Sequence, residues 1–111
     1  MKTLMLLPLT ALISLHVNSQ NYVWTQKANF PSTPRYEAIG FSIGTKGYFG
    51  TGANFVLNSQ PYNDFWEWDQ STNVWSQKAN VPGPPRYGAA AFAADGKGYV
   101  TTGFSVMNGG Y

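Results

Sequence analysis

A chain of 111 residues has room for one domain. Hydrophobic residues make up 43% and charged residues 11%, which removes the chain from the disordered class, and the lack of cysteine rules out disulfides and an N-terminal lipidated cysteine. The formal charge of +2 is spread over single Lys and Arg residues, so the clustered basic footprint of a nucleic-acid binder is missing.

In chain order, "MKTLMLLPLTALISLHVNS" comes first, with one basic residue (Lys2), an apolar run over 4–15 and a polar stretch ending in Ser19. Val17 and Ser19 fill the small-residue positions of a cleavage site, which predicts a signal peptide over 1–19. Export follows, to the periplasm, the cell surface or the medium. The apolar run holds Pro8 and Thr10 and falls short of the roughly 20 residues that span a bilayer, so no membrane span is expected after cleavage. The single histidine, His16, leaves with this segment; the expected mature chain has neither His nor Cys.

Beyond residue 19 the sequence repeats itself. "WTQKANFPSTPRY" starts at Trp24 and "WSQKANVPGPPRY" at Trp75, and over 24–54 against 75–105 an ungapped offset of 51 leaves 16 of 31 positions identical. Short strands fill the period. Residues 22–28 read as one strand. "YEAIGFSI" (36–43) and "KGYFGTG" (46–52) flank a tight turn at Gly44-Thr45, whose second copy reads Asp95-Gly96, a strong two-residue hairpin signal. "DFWEWDQ" (64–70) alternates, with Phe65, Glu67 and Asp69 on one face and Trp66 and Trp68 on the other. "QSTN" (70–73) turns the chain into "VWSQKA" (74–79), and 87–103 repeats the first two strands of the period. No segment of the mature chain has a helical period, so the expectation is all-β.

These residues resemble the exported kelch-repeat, galactose-oxidase-like β-propellers of bacteria. The period near 50, the Trp68/Trp75 pair with six residues between, the "PR" entering the first strand and the glycine closing the second carry the likeness, over essentially all of 22–105. One element departs from it: the family's double glycine is Thr51-Gly52 and Thr102-Gly103 here. The resemblance implies one full blade (36–79), a partial blade (87–103) and an orphan outer strand (22–28), too few to close a ring of about 4–8 blades. It therefore implies the N-terminal part of a longer protein whose remaining blades are partners in cis; the competing expectation is a small protein that closes its ring by oligomerising.

Candidate residues divide by whether they recur. Trp24, Trp68, Trp75, Tyr48, Tyr99, Gly52 and Gly103 are expected in the core, because packing roles recur in each blade while ligand sites seldom do; Trp66 is either core or a sugar-stacking face. Arg35, Tyr36, Arg86 and Tyr87, at the entrance to the first strand of each period, either ring a channel mouth that binds carboxylate or phosphate or tie loops structurally. Asn54, Asn58, Gln60 and Tyr62, in the long loop 53–63, are candidate hydrogen-bonding groups toward a glycan or peptide. Glu67 and Asp69 share a strand face, but any i, i+2 pair does, and structural pairing with Lys or Arg is the expectation. No catalytic residues, metal site or cofactor are expected; the copper chemistry of the oxidases sharing this propeller needs His and a Cys-modified Tyr. The expected role is a binding or scaffold module for an extracytoplasmic protein or glycan. The alternative is part of a carbohydrate-active enzyme, sialic-acid mutarotase-like or galactose-oxidase-like, with its catalytic residues outside this stretch.

Overall fold

The computed structural model describes residues 22–56 and 60–106. The expected signal peptide over 1–19 and the loop candidate Asn58 lie outside them. Among the described residues every regular element is a strand: β1 (Ile39–Ile43), β2 (Lys46–Gly50), β3 (Ala53–Asn54), β4 (Gln60–Pro61), β5 (Phe65–Asp69), β6 (Val74–Lys78), β7 (Ala90–Ala94) and β8 (Lys97–Thr101).

Strands β1-β2-β5-β6 form an antiparallel meander, one four-stranded blade; β7-β8 form a second, two-stranded sheet, and β3-β4 a short hairpin inside the loop between β2 and β5. Local sequence sets the edges. Gly44 (φ 57) opens the first tight turn, and Asp95 (φ 50) and Gly96 (φ 71) are both left-handed in its second copy, the conformation that matches the twist of a hairpin. Glu37 (φ 53) delays the start of β1 to Ile39, and Gly88 (φ 62) holds the equivalent place before β7. β2 ends at Gly50 because Thr51 (φ 55) and Gly52 (φ 89) turn away.

Register assigns the two faces, since directly opposed residues of an antiparallel pair point the same way. Phe41 pairs with Tyr48 and Tyr48 with Glu67, so Phe41, Tyr48 and Phe65 share one face, where Phe41 and Tyr48 stack at 5.2 Å and Tyr48 and Phe65 at 5.7 Å. Phe49, Trp66, Trp68 and Trp75 take the other. The alternation read from "DFWEWDQ" is the one observed. The Trp face is covered by the incoming chain: Phe30 sets its ring edge-on against Phe49 (4.7 Å), Trp75 (5.4 Å) and Trp66 (5.6 Å), and Trp75 Nε1 donates to the Ala28 carbonyl at 3.0 Å. Asn73, left-handed in the 70–73 turn, accepts from Ala28 N at 2.9 Å and from Trp68 Nε1 at 3.0 Å.

The second sheet packs against β1 of the first. Gly98 makes this approach possible, because a Cβ there would overlap the Phe41 ring. Buried side chains are few among the described residues: Ile39 (3% exposed), Ala53 (0%), Pro61 and the polar Thr51 (0%).

Several core expectations are corrected here. Residues 22–28 form no strand, and Trp24 is fully exposed, because no neighbouring strand among the described residues supplies the ladder bonds an outer strand needs. Tyr99 stacks on Phe92 at 5.0 Å as Tyr48 stacks on Phe41, yet both remain exposed, with no other sheet of the described residues over that face. Gly103 is likewise exposed. Its glycine requirement is local: at φ +96 a Cβ would stand 2.9 Å from the Tyr87 carbonyl, as one at Gly52 (φ +89) would stand 2.8 Å from that of Tyr36. Trp66, Trp68, Trp75 and Tyr48 are half-buried, and Gly52 is buried.

Candidate functional site

Arg35 is turned inward. Its guanidinium lies between the rings of Phe30 (5.1 Å) and Tyr62 (4.1 Å), and its side chain is 1% exposed. Nε donates to the Thr33 carbonyl and Nη1 to the Thr51 carbonyl, each at 3.1 Å, and Nη2 donates to Ser32 Oγ at 3.1 Å. Asp64 closes the set with a two-pronged pair, Nη1 to Oδ1 and Nη2 to Oδ2, and accepts Trp66 Nε1 at 2.8 Å. Partial burial pushes the Asp64 carboxyl up, but the hydrogen bonds from Arg35 and Trp66 outweigh it and hold the pKa below the ordinary value. All five N–H donors of this arginine are engaged inside the chain, so the channel-mouth reading does not fit it. Arg86 repeats part of the arrangement, with Nε on the Pro84 carbonyl (3.2 Å), Nη1 on that of Thr102 (3.3 Å) and Nη2 on that of Pro82 (3.4 Å).

The carboxylates of the other face are also committed. Lys46 pairs with Asp69 and stands 3.6 Å from Glu67, Lys78 reaches Glu67 at 3.3 Å, and Tyr48 donates to Glu67 at 3.0 Å. The hydrogen bond from Lys46, with others from Ser71, holds the Asp69 carboxyl far below the usual carboxylate range. For Glu67, desolvation acts upward and is outweighed by Tyr48 and Lys78, leaving it lowered. Glu67 and Asp69 are thus paired with Lys78 and Lys46 on one strand face.

At one end of the sheets the loops meet. Tyr36 bridges Ala53, Tyr62 bridges Arg86 and Tyr87 bridges Phe104, while Gly52 N donates to the Arg86 carbonyl and Gly88 N to that of Glu37. This stitching of both periods sets a row of four rings: Tyr36 to Phe55 at 5.9 Å, Phe55 to Tyr87 at 5.2 Å and Tyr87 to Phe104 at 5.8 Å. Tyr36 is 45% and Phe104 69% exposed. Asn54 flanks the row, its Nδ2 donating to the Pro34 carbonyl at 2.7 Å and its Oδ1 accepting from Val56 N at 3.2 Å. Gln60 and Tyr62 lie in or beside β4, where the loop pairs with itself.

The structure thus gathers Tyr36, Tyr87 and Asn54 at one ledge and removes Arg35 from it. Phe55 and Phe104, which complete the row, escaped sequence reasoning. Each stands where the other copy has a different residue, Val106 and Ala53, so comparison of the copies gave them no weight. That same departure from the repeat was the available signal, because a ligand-facing position need not recur.

No family model matches this chain, and no curated protein matches it. Among solved structures, that of YjhT superposes with a TM-score of 0.65 at 29% identity, covering 76% of this chain. The chain spans 25% of the length of that structure. With its four-stranded antiparallel blade and second, packed sheet, the chain has a kelch-like β-propeller fold.

Proposed function

We propose that this chain is part of an exported, longer propeller that binds a protein or glycan outside the cytoplasm, without catalysis by the residues described. The aromatic row Tyr36–Phe55–Tyr87–Phe104 carries the reading. Partly exposed rings on a rigid sheet end offer flat apolar faces to a pyranose or to an apolar peptide segment, with amide groups alongside for orientation. The alternative, part of a carbohydrate-active enzyme with its catalytic groups elsewhere, uses the same ledge as a sugar platform.

A glycan array probed with the full chain tests this. The glycan reading expects a retained glycan that is lost on Phe55→Ala or Tyr87→Ala. Retention of no glycan, or equal retention by both variants, removes that reading and leaves the protein ligand. Export is tested separately, by mass spectrometry of the protein from its native host: a mature N-terminus at Gln20 is expected, and an intact N-terminus in the cytoplasmic fraction refutes it.

A further inference from the structure

Glu37 and Gly88 hold equivalent places in the two periods, and both are left-handed, at φ 53 and φ 62. Glycine takes that conformation freely, whereas a residue with a side chain is strained there. The first period nevertheless carries an exposed glutamate. Among the described residues no Lys or Arg pairs with its carboxylate. The side chain reaches across to the second period. Gly88 N donates to the Glu37 carbonyl at 3.1 Å, and Glu37 Oε2 and Phe104 Cδ2 lie 3.2 Å and 3.7 Å from the point where a Cβ on Gly88 would stand. The bare glycine leaves a niche bordered by this carboxylate and the Phe104 ring, at the end of the aromatic row.

We infer that the niche receives the ammonium of an amino sugar that carries no N-acetyl group, with the pyranose face laid on the neighbouring rings. This rests on the glycan form of the reading above and names the class of sugar. Aromatic faces and a carboxylate without a cation share one preference, which is positive charge. An ammonium gains cation–π attraction within about 6 Å of a ring centroid, and it donates a charge-assisted hydrogen bond to Glu37. A neutral sugar leaves the carboxylate without a partner, and an acidic one is repelled by it. The row continues from the niche through Tyr87, Phe55 and Tyr36, with neighbouring rings 5.8, 5.2 and 5.9 Å apart. That length suits successive sugars of a chain better than the thin stem of one lysine. The strain at Glu37 is then retained for its charge, as backbone strain often is at binding sites.

Calorimetric titration of the full chain tests this with a glucosamine oligomer, its amines protonated, and with the N-acetylglucosamine oligomer of the same length. The glucosamine oligomer should bind about tenfold more tightly. Glu37→Gln should erase that preference, while Tyr87→Ala weakens both ligands. Glu37→Gly should also erase it and at the same time raise Tm, because it relieves the left-handed strain. Equal binding of the two oligomers, or a preference that survives Glu37→Gln, overturns the inference and leaves the glycan reading standing. Retention of no glycan on the array removes both. Tighter binding of an oligolysine peptide than of the glucosamine oligomer overturns the inference in favour of a protein ligand. A lower Tm in Glu37→Gly assigns the glutamate to folding and overturns it as well.

Discussion

Thr51→Gly is expected to stabilise the protein, although it removes a fully buried side chain. Thr51 is β-branched, sits at φ 55 and is 0% exposed, and its Oγ1 has no hydrogen-bond partner. A left-handed conformation costs an L-residue about 1–2 kcal/mol, and a buried hydroxyl left unbonded costs about 1–3 kcal/mol. Glycine removes both terms. Against it stand the lost burial of Cβ and its methyl group, about 1.6 kcal/mol, and the extra freedom of glycine in the unfolded chain, about 0.5–1 kcal/mol. Taken at mid-range, favourable terms exceed unfavourable ones by about 1 kcal/mol, a rise in Tm of about 4–8 °C per kcal/mol for a domain of this size. Thr102→Gly is the internal control: at φ 61 its strain is similar, but its hydroxyl donates to the Thr101 carbonyl at 2.6 Å and accepts from Ala90 N at 3.3 Å, so strain and entropy nearly cancel. Thermal unfolding followed by tryptophan fluorescence decides it. If Thr51→Gly lowers Tm, or raises it no more than Thr102→Gly does, the balance drawn here is wrong.

Other outcomes follow from the same contacts. Arg35→Ala strands Asp64, whose side chain is 18% exposed, and should cost about 2–4 kcal/mol in urea unfolding, while Arg86→Ala, without a carboxylate partner, should cost about 1 kcal/mol or less; equal losses would contradict the assignment. Asp64, Glu67 and Asp69 are all held below their ordinary values, near 3.9 for Asp and 4.3 for Glu. Their stabilisation is therefore complete above about pH 5 and is lost as pH falls from there toward the folded-state values. The urea midpoint should drop between pH 5 and 3, less steeply in Asp64→Asn; an unchanged slope in that variant removes Asp64 from the account. Gly98→Ala drives a methyl into Phe41 between the sheets and should cost about 1–3 kcal/mol, whereas Gly40→Ala, whose Cβ would sit 3.6 Å from its nearest neighbour, should cost less; the reverse order in thermal unfolding would misplace the contact.

Much of the strand pattern was legible because it is local chemistry. Asp95-Gly96 specifies its turn, and "FWEWD" cannot alternate without sorting Trp66 and Trp68 onto one face. Illegible features depend on what lies opposite. Nothing near Arg35 announces Asp64, 29 residues away, so its inward fork could not be separated from an outward one. Trp24 matches Trp75 in sequence, but the indole of Trp75 finds Phe30 and the Ala28 carbonyl, while Trp24 stays fully exposed. The ledge was half legible: Tyr36 and Tyr87 recur, whereas Phe55 and Phe104 are brought between and beside them by the stitching of two loops.

Phe30 and Ala28 belong, by sequence, to the tail of the segment before the first blade, yet they seal that blade's Trp face. The unit of duplication and the unit of cooperativity are thus out of phase. A 51-residue window may be drawn from any starting point, but a self-covering piece must begin at or before Ala28. Shuffling or permuting such blades at the Tyr36 boundary would separate each sheet from its own lid, so recombination that conserves every strand could still yield an unstable protein. Joints placed ahead of Ala28 would keep sheet and lid together.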